Sequence, residues 1–180
     1  MNKNDPLTLT LRALAFAAWK HRDQRRKNAE ASPYINHPIA LATVLRTEGD
    51  VDDAVVLAAA LLHDTIEDTE TTWDELRGEF GDDIANVVLE VTDTKWLNKD
   101  TRKKLQVQKA SKSSQRAKLV KLADKICNLR DMVVSPPVDW SLERQQKYFD
   151  WAKDVVDRLR GTHSKLERRF DDIVARRPVR

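Results

Sequence analysis

Glycine is scarce in this chain of 180 residues, and the positions of its few glycines restrict the folds that the sequence can support. The four are Gly49, Gly78, Gly81 and Gly161. Their spacing supports neither the Gly-x-Gly-x-x-Gly turn of dinucleotide-binding folds nor the Gly-x4-Gly-Lys loop that cradles phosphates. The scarcity of glycine and proline also disfavours a sandwich or barrel with many tight turns.

Apolar residues recur at helical spacing along most of the chain. Between Leu7 and His21 they lie three and four residues apart, which is typical of an amphipathic helix. A polar, basic loop follows over 23–32. We predict further helices over 38–48 (ended by Gly49), 53–68, a short stretch opened by the capping box of Thr72 and Glu75, 82–92, 101–110, 114–132, 141–160 and 163–175. The prediction is an all-α bundle of about 8–10 helices.

Composition narrows the class of protein further. The 32 basic and 29 acidic side chains leave a net charge of +3, which does not indicate nucleic-acid binding. The longest apolar run, over 54–62, is too short to cross a bilayer, so no membrane association is expected. The single cysteine, Cys127, excludes an internal disulfide, and we expect a cytoplasmic protein.

The length favours one domain over 1–180, with its core over about 7–170. The basic residues at 176–180 are predicted to form a frayed, solvated tail.

The apolar run over 54–62 continues directly into four polar residues: His63, Asp64, Glu67 and Asp68. On one unbroken helix, His63 and Glu67 would share a face, and Asp64 and Asp68 would lie on a face about 100° away. Carboxylates are unfavourable at a helix C-terminus and costly to bury without a partner. A divalent cation would remove that repulsion, whereas a solvated acidic helix end needs no ion, and this pattern alone leaves both interpretations open.

Two more segments contain candidate metal ligands. His37 stands at a predicted loop-to-helix junction, and Asp124 lies between apolar neighbours on a well-patterned helix, four residues before Asn128. Considered alone, a histidine in the position of His37 is more often a capping or packed residue than a metal ligand. Asp124 could simply pair with Lys121 or Lys125.

Taken together, these residues form a pattern found in a known family. The order His37, His63-Asp64, Asp124 resembles the metal site of the HD-domain phosphohydrolases. The longer strings QRRK (24–27), PYINHP (33–38), AALLHDTIED (59–68) and KLADKICNL (121–129) resemble the hydrolase domain of the Rel/SpoT alarmone family. YFDWA (148–152) is most similar to the stand-alone small alarmone hydrolases. The chain departs from the family at Asp23 and Ala31, where members often carry glycine.

The resemblance implies a fold, an activity and a cofactor. It implies an all-α HD fold that holds one Mn²⁺ and removes pyrophosphate from the ribose 3′ position of guanosine tetra- and pentaphosphate. The products would be GDP or GTP plus pyrophosphate, and the partner is a small nucleotide. The oligomeric state stays open.

On this hypothesis each candidate residue has a role. His37, His63, Asp64 and Asp124 bind the metal, and their mixed donors suit Mn²⁺, Fe²⁺, Co²⁺ or Zn²⁺ without choosing among them. Glu67 and Asp68 orient the attacking water and take its proton. The candidate substrate contacts are Arg25, Arg26, Lys27, Lys95, Lys99, Asn128 and Tyr148.

Two alternatives remain. Another HD phosphohydrolase, acting on NADPH or on ordinary nucleotides, would share the metal site and differ in the substrate cleft. A non-catalytic nucleotide sensor would be expected to lack Glu67, Asp68 or a ligand, and this chain retains them all.

Overall fold

The computed structural model describes residues 5–179, and this range is helical apart from loops and one isolated β-bridge between Arg25 and Pro33. The α-helices are α1 (Pro6–Lys20), α2 (Asn36–Thr43), α3 (Ala54–Leu62), α4 (Thr65–Asp68), α5 (Trp73–Phe80), α6 (Asp82–Val91), α7 (Lys99–Ala110), α8 (Gln115–Val134), α9 (Leu142–Asp157) and α10 (Ser164–Val174). A π-helical turn, Val44–Glu48, continues α2. The predicted all-α fold class is confirmed.

Side-chain caps explain several helix starts. The carboxylates of Asp5 and Asp53 accept backbone N–H groups at the first turns of α1 and α3. The Thr72 hydroxyl accepts the N–H of Glu75 at 3.2 Å, as the capping box predicts. Asn98 caps α7 in the same manner, with its Oδ1 2.9 Å from the N–H of Thr101. This cap starts α7 at Lys99, two residues before the predicted boundary.

The helix predicted to run unbroken from 53 to 68 was wrong, because the chain turns at His63 and Asp64. The last carbonyls of α3 bond to side chains instead of continuing the helical ladder. His63 Nδ1 lies 2.9 Å from the carbonyl oxygen of Ala60, and the Thr65 hydroxyl donates to that of Leu62 at 2.7 Å. The turn therefore separates His63 and Asp64 from α4, which carries Glu67 and Asp68.

The core is organised around α3. This helix has few polar atoms to solvate, and α1, α2, α6 and α8 pack around it. Its residues from Ala58 to Leu62 are all buried. Helix α8 supplies the longest buried stripe, which includes Leu122, Ile126 and Leu129. No helix within 5–179 is both long and apolar enough to cross a membrane.

Two features at the surface differ from expectation. The basic tail is not simply frayed, because Arg177 forms a two-point ion pair with Asp150 at 2.8 and 2.9 Å, and Gln146 donates to the carbonyl of Pro178 at 2.9 Å. Arg180 lies outside the described residues. Ala31, one of the positions where the family often carries glycine, has a left-handed φ of 47°.

Candidate metal centre and substrate cleft

Three of the four predicted metal ligands converge from three separate elements. His37 lies in the first turn of α2, His63 follows the end of α3, and Asp124 lies within α8. One donor atom from each of the three lies within 4.8 Å of the other two. The two imidazole rings are 5.4 Å apart between centroids. Both histidines are buried, and the Asp124 side chain is 16% exposed.

The hydrogen bonds of the histidines leave ring nitrogens available. The carbonyl of Ala60 accepts from Nδ1 of His63, which leaves Nε2 buried and without a hydrogen-bond partner within 5–179. The Nε2 of His37 lies 3.2 Å from Oδ1 of Asp124. A carbonyl that accepts the second ring N–H is the usual way in which proteins fix the tautomer of a metal-binding histidine. The arrangement therefore fits a divalent ion.

Asp64 lies beside this cluster rather than inside it. Its Oδ2 is 2.8 Å from Nε2 of His63, although the two groups are not aligned as a hydrogen bond. The same oxygen accepts the hydroxyl proton of Tyr34. Because the chain turns at His63, the expected two-by-two patch of His63, Asp64, Glu67 and Asp68 on one helix surface does not form.

Electrostatics at the cluster favour a cation. Burial by itself would lower the pKa of His63, but the adjacent Asp64 carboxylate raises it to about 9. Conversely, burial would raise the pKa of Asp64, and the charge of His63 holds it below its usual range. Burial would likewise raise the pKa of Asp124, but Lys125 and His37 hold it well below its usual range, so both carboxylates stay ionised and attract positive charge to the pocket. Mixed imidazole and carboxylate donors are a ligand set that divalent transition metals accept.

A hydrogen-bonded chain on α8 holds Asp124. Asn128 Nδ2 donates to its Oδ1 at 2.5 Å, and Lys125 Nζ lies 2.9 Å from its Oδ2. Of the two lysines that the sequence offered as partners, Lys125 pairs with Asp124. Lys121 Nζ instead donates to the carbonyl of Val91 at 3.2 Å.

Glu67 and Asp68 lie next to the cluster on α4, and their surroundings differ. Glu67 accepts the backbone N–H of Asp93 at 3.0 Å, and Arg102 lies 3.5 Å away. Burial, with added repulsion from nearby carboxylates, raises the pKa of Glu67 to about 7. Asp68 accepts from Gln24 at 3.0 Å and pairs with Lys95 at 3.3 Å. Of the two, only Glu67 lines the metal pocket, a cavity of about 190 Å³.

The metal pocket opens into a larger cleft of about 440 Å³, which we call the front cleft. The two cavities share the side chains of Arg26, Tyr34, His37, Asn128 and Tyr148. The predicted phosphate contacts Arg25, Arg26 and Lys27 line the front cleft, together with Trp140.

Two predicted substrate residues already have protein partners. Arg26 pairs with Asp131 at 2.5 Å and lies over the ring of Tyr34. Asn128, predicted to contact ribose, donates one amide hydrogen to Asp124, and its oxygen lies 3.5 Å from Arg26. Its second amide hydrogen is a further donor for a nucleotide contact. Tyr148 stands between Trp140 and Trp151, with ring centroids 5.5 and 5.2 Å away.

Lys95 and Lys99 lie outside both cavities. Lys95 donates to the carbonyl of Glu67 at 2.7 Å, which ties the loop before α7 to the candidate catalytic helix. Lys99 packs over Trp140 at the rim of the front cleft, 5.5 Å from its ring centroid.

Sequence reasoning missed several residues of the pocket. Tyr34 stood inside a string quoted above without a predicted role, and Lys125 was considered only as an alternative partner of Asp124. Asp93 and Gln106, which line the pocket, and Arg102, which lies beside Glu67, come from the segment around α7, where the chain has no apolar periodicity that points inward. Their only signal was polarity, which is equally typical of an exposed helix.

Residues 13–149 match the family model described as HD domain. The guanosine-3′,5′-bis(diphosphate) 3′-pyrophosphohydrolase MESH1 of Xenopus tropicalis is 55% identical over 163 residues, covering 91% of each chain. The human protein of that name is 56% identical over 157 residues, covering 87% of this chain and 88% of its own.

A solved structure described as a metazoan ortholog of SpoT that hydrolyzes ppGpp superimposes with a TM-score of 0.91. It is 50% identical, and the match covers 94% of this chain and 95% of that one. These matches agree with the resemblance drawn from the short strings around His37, His63 and Asp124. The chain belongs to the HD-domain family and, within it, to the small alarmone hydrolases that include the MESH1 proteins.

Proposed function

We propose that this chain hydrolyses the 3′-pyrophosphate of guanosine tetra- and pentaphosphate, giving GDP or GTP and pyrophosphate, in a reaction that depends on one divalent ion. The observation that carries the proposal is the junction of the two cavities: a buried cluster of imidazoles and carboxylates lies at the floor of a cleft lined by cations. The names of the relatives supply the substrate class.

The metal ligands in this proposal are His37, His63, Asp64 and Asp124, and Mn²⁺ is the proposed ion. A divalent ion held there would neutralise charge on the phosphate next to the 3′ oxygen and favour attack by water. Support comes from Nε2 of His63, which has no hydrogen-bond partner among the described residues and faces a carboxylate oxygen of Asp64 at 2.8 Å without hydrogen-bond alignment. Two such atoms can share a cation in place of a proton.

Glu67 is the proposed general base, with Asp68 assisting. Burial raises the pKa of Glu67 to about 7, which suits a group that must accept a proton near neutral pH. The N–H of Asp93 holds one oxygen of Glu67 at 3.0 Å and fixes the orientation of the carboxylate. Asp68, tied to Gln24 and Lys95, is placed to hold α4 against the loops on both sides.

The nucleotide is proposed to lie in the front cleft with its phosphates toward Arg25, Arg26 and Lys27. Binding would compete with the Arg26–Asp131 ion pair, because phosphate is a better two-point partner for a guanidinium than one carboxylate oxygen. Asn128 is the proposed ribose contact, and Tyr148 with the adjacent Trp140 offers aromatic surface to the nucleotide. Lys95 and Lys99 are proposed to approach the phosphates from the loop and first turn of α7.

Product analysis tests the activity. The Mn²⁺-loaded protein, incubated with guanosine tetraphosphate, is expected to release GDP and pyrophosphate in equimolar amounts, and a chelator should stop the reaction. A parallel panel contains NADPH and deoxynucleoside triphosphates at the same concentration. A clear preference for one of these over the 3′-pyrophosphorylated nucleotides would overturn the proposed substrate.

Two variants test the assignment of residues. Asp64→Ala is expected to lose bound metal and activity together, whereas Glu67→Ala should keep the metal and lose turnover by about a hundredfold or more. Elemental analysis of each purified variant gives the metal content, and Glu143→Ala, on the exposed face of α9, is the control. Full activity in both site variants would place the chemistry elsewhere.

The compartment stays a prediction from the sequence. We propose the cytoplasm, on the evidence of the single cysteine, and subcellular fractionation of the tagged protein tests it.

A further inference from the structure

A second cleft adjoins the metal pocket through residues that differ from those shared with the front cleft. It has a volume of about 250 Å³ and lies between the end of α6, α7 and the start of α8; we call it the back cleft. It shares Asp93, Gln106 and Lys121 with the metal pocket and no residue with the front cleft. These three side chains therefore form the wall between the metal pocket and the back cleft.

The back cleft carries an excess of positive charge. Arg102, Lys109, Lys112 and Lys121 line it, against two carboxylates. Both carboxylates already accept hydrogen bonds from the protein: Glu90 from the backbone N–H of Ser114 at 2.8 Å, and Asp93 from the side-chain amide of Gln106. Within the described part of the chain, neither Lys109 nor Lys112 pairs with a carboxylate.

The back cleft and its wall contain polar atoms whose bonding is incomplete. Arg102 Nε and Gln106 Oε1 are buried and have no hydrogen-bond partner within residues 5–179. Lys121 Nζ has a single carbonyl partner, the oxygen of Val91 at 3.2 Å. Unsatisfied polar groups are costly to bury, so a cleft lined by them gains hydrogen bonds when a polar ligand or water arrives.

The position of the two clefts raises a problem for product release. The proposed hydrolysis forms pyrophosphate at the metal pocket, while the nucleoside part of the product still fills the front cleft. If the front cleft were the only opening, pyrophosphate would have to wait until the nucleotide had left. An opening through the back cleft removes that requirement.

We infer that the back cleft is a binding and exit site for inorganic pyrophosphate, in which Arg102, Lys109 and Lys112 receive the anion after it passes the wall of Gln106 and Lys121. The inference rests on the proposed function, because that reaction supplies the pyrophosphate. Lys109 on α7 and Lys112 just after it line the cleft and are exposed, so their charges attract the anion toward solvent.

The order of product release gives the first test. With an exit at the back, pyrophosphate leaves while the nucleotide is bound, so added pyrophosphate should inhibit noncompetitively against guanosine tetraphosphate and GDP should inhibit competitively. With the front cleft as the only exit, pyrophosphate leaves last and would inhibit competitively. The second pattern would overturn the inference.

A matched pair of variants gives the second test. Lys109→Gln with Lys112→Gln removes two charges from the back cleft, and Lys104→Gln with Lys118→Gln removes two from the same region of α7 and α8 outside every cavity described above. Pyrophosphate is titrated calorimetrically into the metal-loaded full chain saturated with GDP. We expect the cleft variant to bind pyrophosphate about tenfold more weakly than wild type, and the control within about twofold.

The failures of the two proposals can be told apart. If GDP does not bind and guanosine tetraphosphate is not cleaved, the proposed function fails and the inferred exit site, which rests on it, is rejected with it. If the nucleotide is cleaved but the cleft variant binds pyrophosphate as tightly as its control does, the proposed function stands and the exit site is rejected.

Discussion

At the scale of single residues, the metal pocket is built from groups that satisfy one another only in part. Asp124 has three partners in His37, Lys125 and Asn128, whereas His63 Nε2 faces a carboxylate without a hydrogen bond. Such incomplete bonding costs stability in a buried site. It is consistent with a pocket arranged around a cation rather than around its own protein contacts.

Tyr34 is predicted to tune metal affinity through Asp64. Because its hydroxyl donates to Asp64 Oδ2, Tyr34→Phe removes the group that orients this carboxylate. Loss of such an outer partner should weaken Mn²⁺ binding by about 10–100-fold. Competition with a chromogenic chelator measures the affinity. The hydroxyl of Tyr148 has no protein partner within 5–179, so Tyr148→Phe should leave the Mn²⁺ affinity unchanged. Equal losses of affinity in both variants would contradict the assignment.

The titration of Glu67 provides a prediction of pH dependence. Burial disfavours the charged carboxylate, so in the metal-free protein Glu67 should lose its proton near pH 7 rather than near 4.3. Above that pH it is an ionised base, and below it a neutral acid. Carbon-13 NMR of labelled glutamate follows the titration, with Glu67→Gln assigning the signal. A divalent ion should lower the midpoint, and a midpoint near 4.3 without metal would refute the role of burial.

At the scale of helices and loops, the sequence predicted the existence of most elements and missed a functional interruption. Apolar spacing, caps and the glycine positions were sufficient to place α1, α6, α8, α9 and α10 within a few residues. The break at His63 was not predicted, because the modest helix propensities of His, Asp and Thr in LLHDTIED are too small to indicate where a helix ends. The side chains of His63 and Thr65 take up the carbonyls that would have continued it.

Gly49 is required by a close approach between elements. A Cβ at this position would lie 2.8 Å from the carbonyl oxygen of Leu45 and 3.2 Å from two carbons of Leu166 on α10. Gly49→Ala should therefore lower the free energy of unfolding by roughly 1–3 kcal/mol. Chemical denaturation at pH 7 measures the change.

Gly78→Ala is the matched control. Gly78 lies inside α5, and a Cβ there meets nothing within 4 Å. We expect this variant to gain about 0.5–1 kcal/mol from reduced backbone entropy of the unfolded chain. Equal effects of the two substitutions would show that packing against α10 does not constrain Gly49.

At the scale of the whole molecule, the candidate ligands connect parts of the chain that are distant in sequence. His37, His63 and Asp124 lie on α2, at the end of α3 and on α8, and these three helices pack against one another. An ion bound by all three elements binds the folded chain and has no comparable site in the unfolded one. Metal binding and folding are therefore linked.

This linkage predicts a shift in thermal stability. At about a hundred times its dissociation constant, Mn²⁺ should add about 2.7 kcal/mol to the free energy of unfolding. That corresponds to roughly 5–10 °C in Tm for a chain of this size. Calorimetry with metal and with chelator measures the shift. His63→Ala should abolish it and His163→Ala should retain it, whereas an unchanged Tm in the wild-type protein would argue against a site formed by the fold.

The sequence by itself determined the fold class and the family, because helical periodicity and the strings around His37, His63 and Asp124 are local in the chain. It also predicted candidate metal ligands and a candidate base by residue type. Only the tertiary structure decided that Asp64 turns toward Tyr34, that Asn128 bonds to Asp124 and that Arg102 faces Glu67. The reason is physical: a local pattern records which face of a helix is apolar, whereas these contacts depend on how separate helices meet around a buried charge.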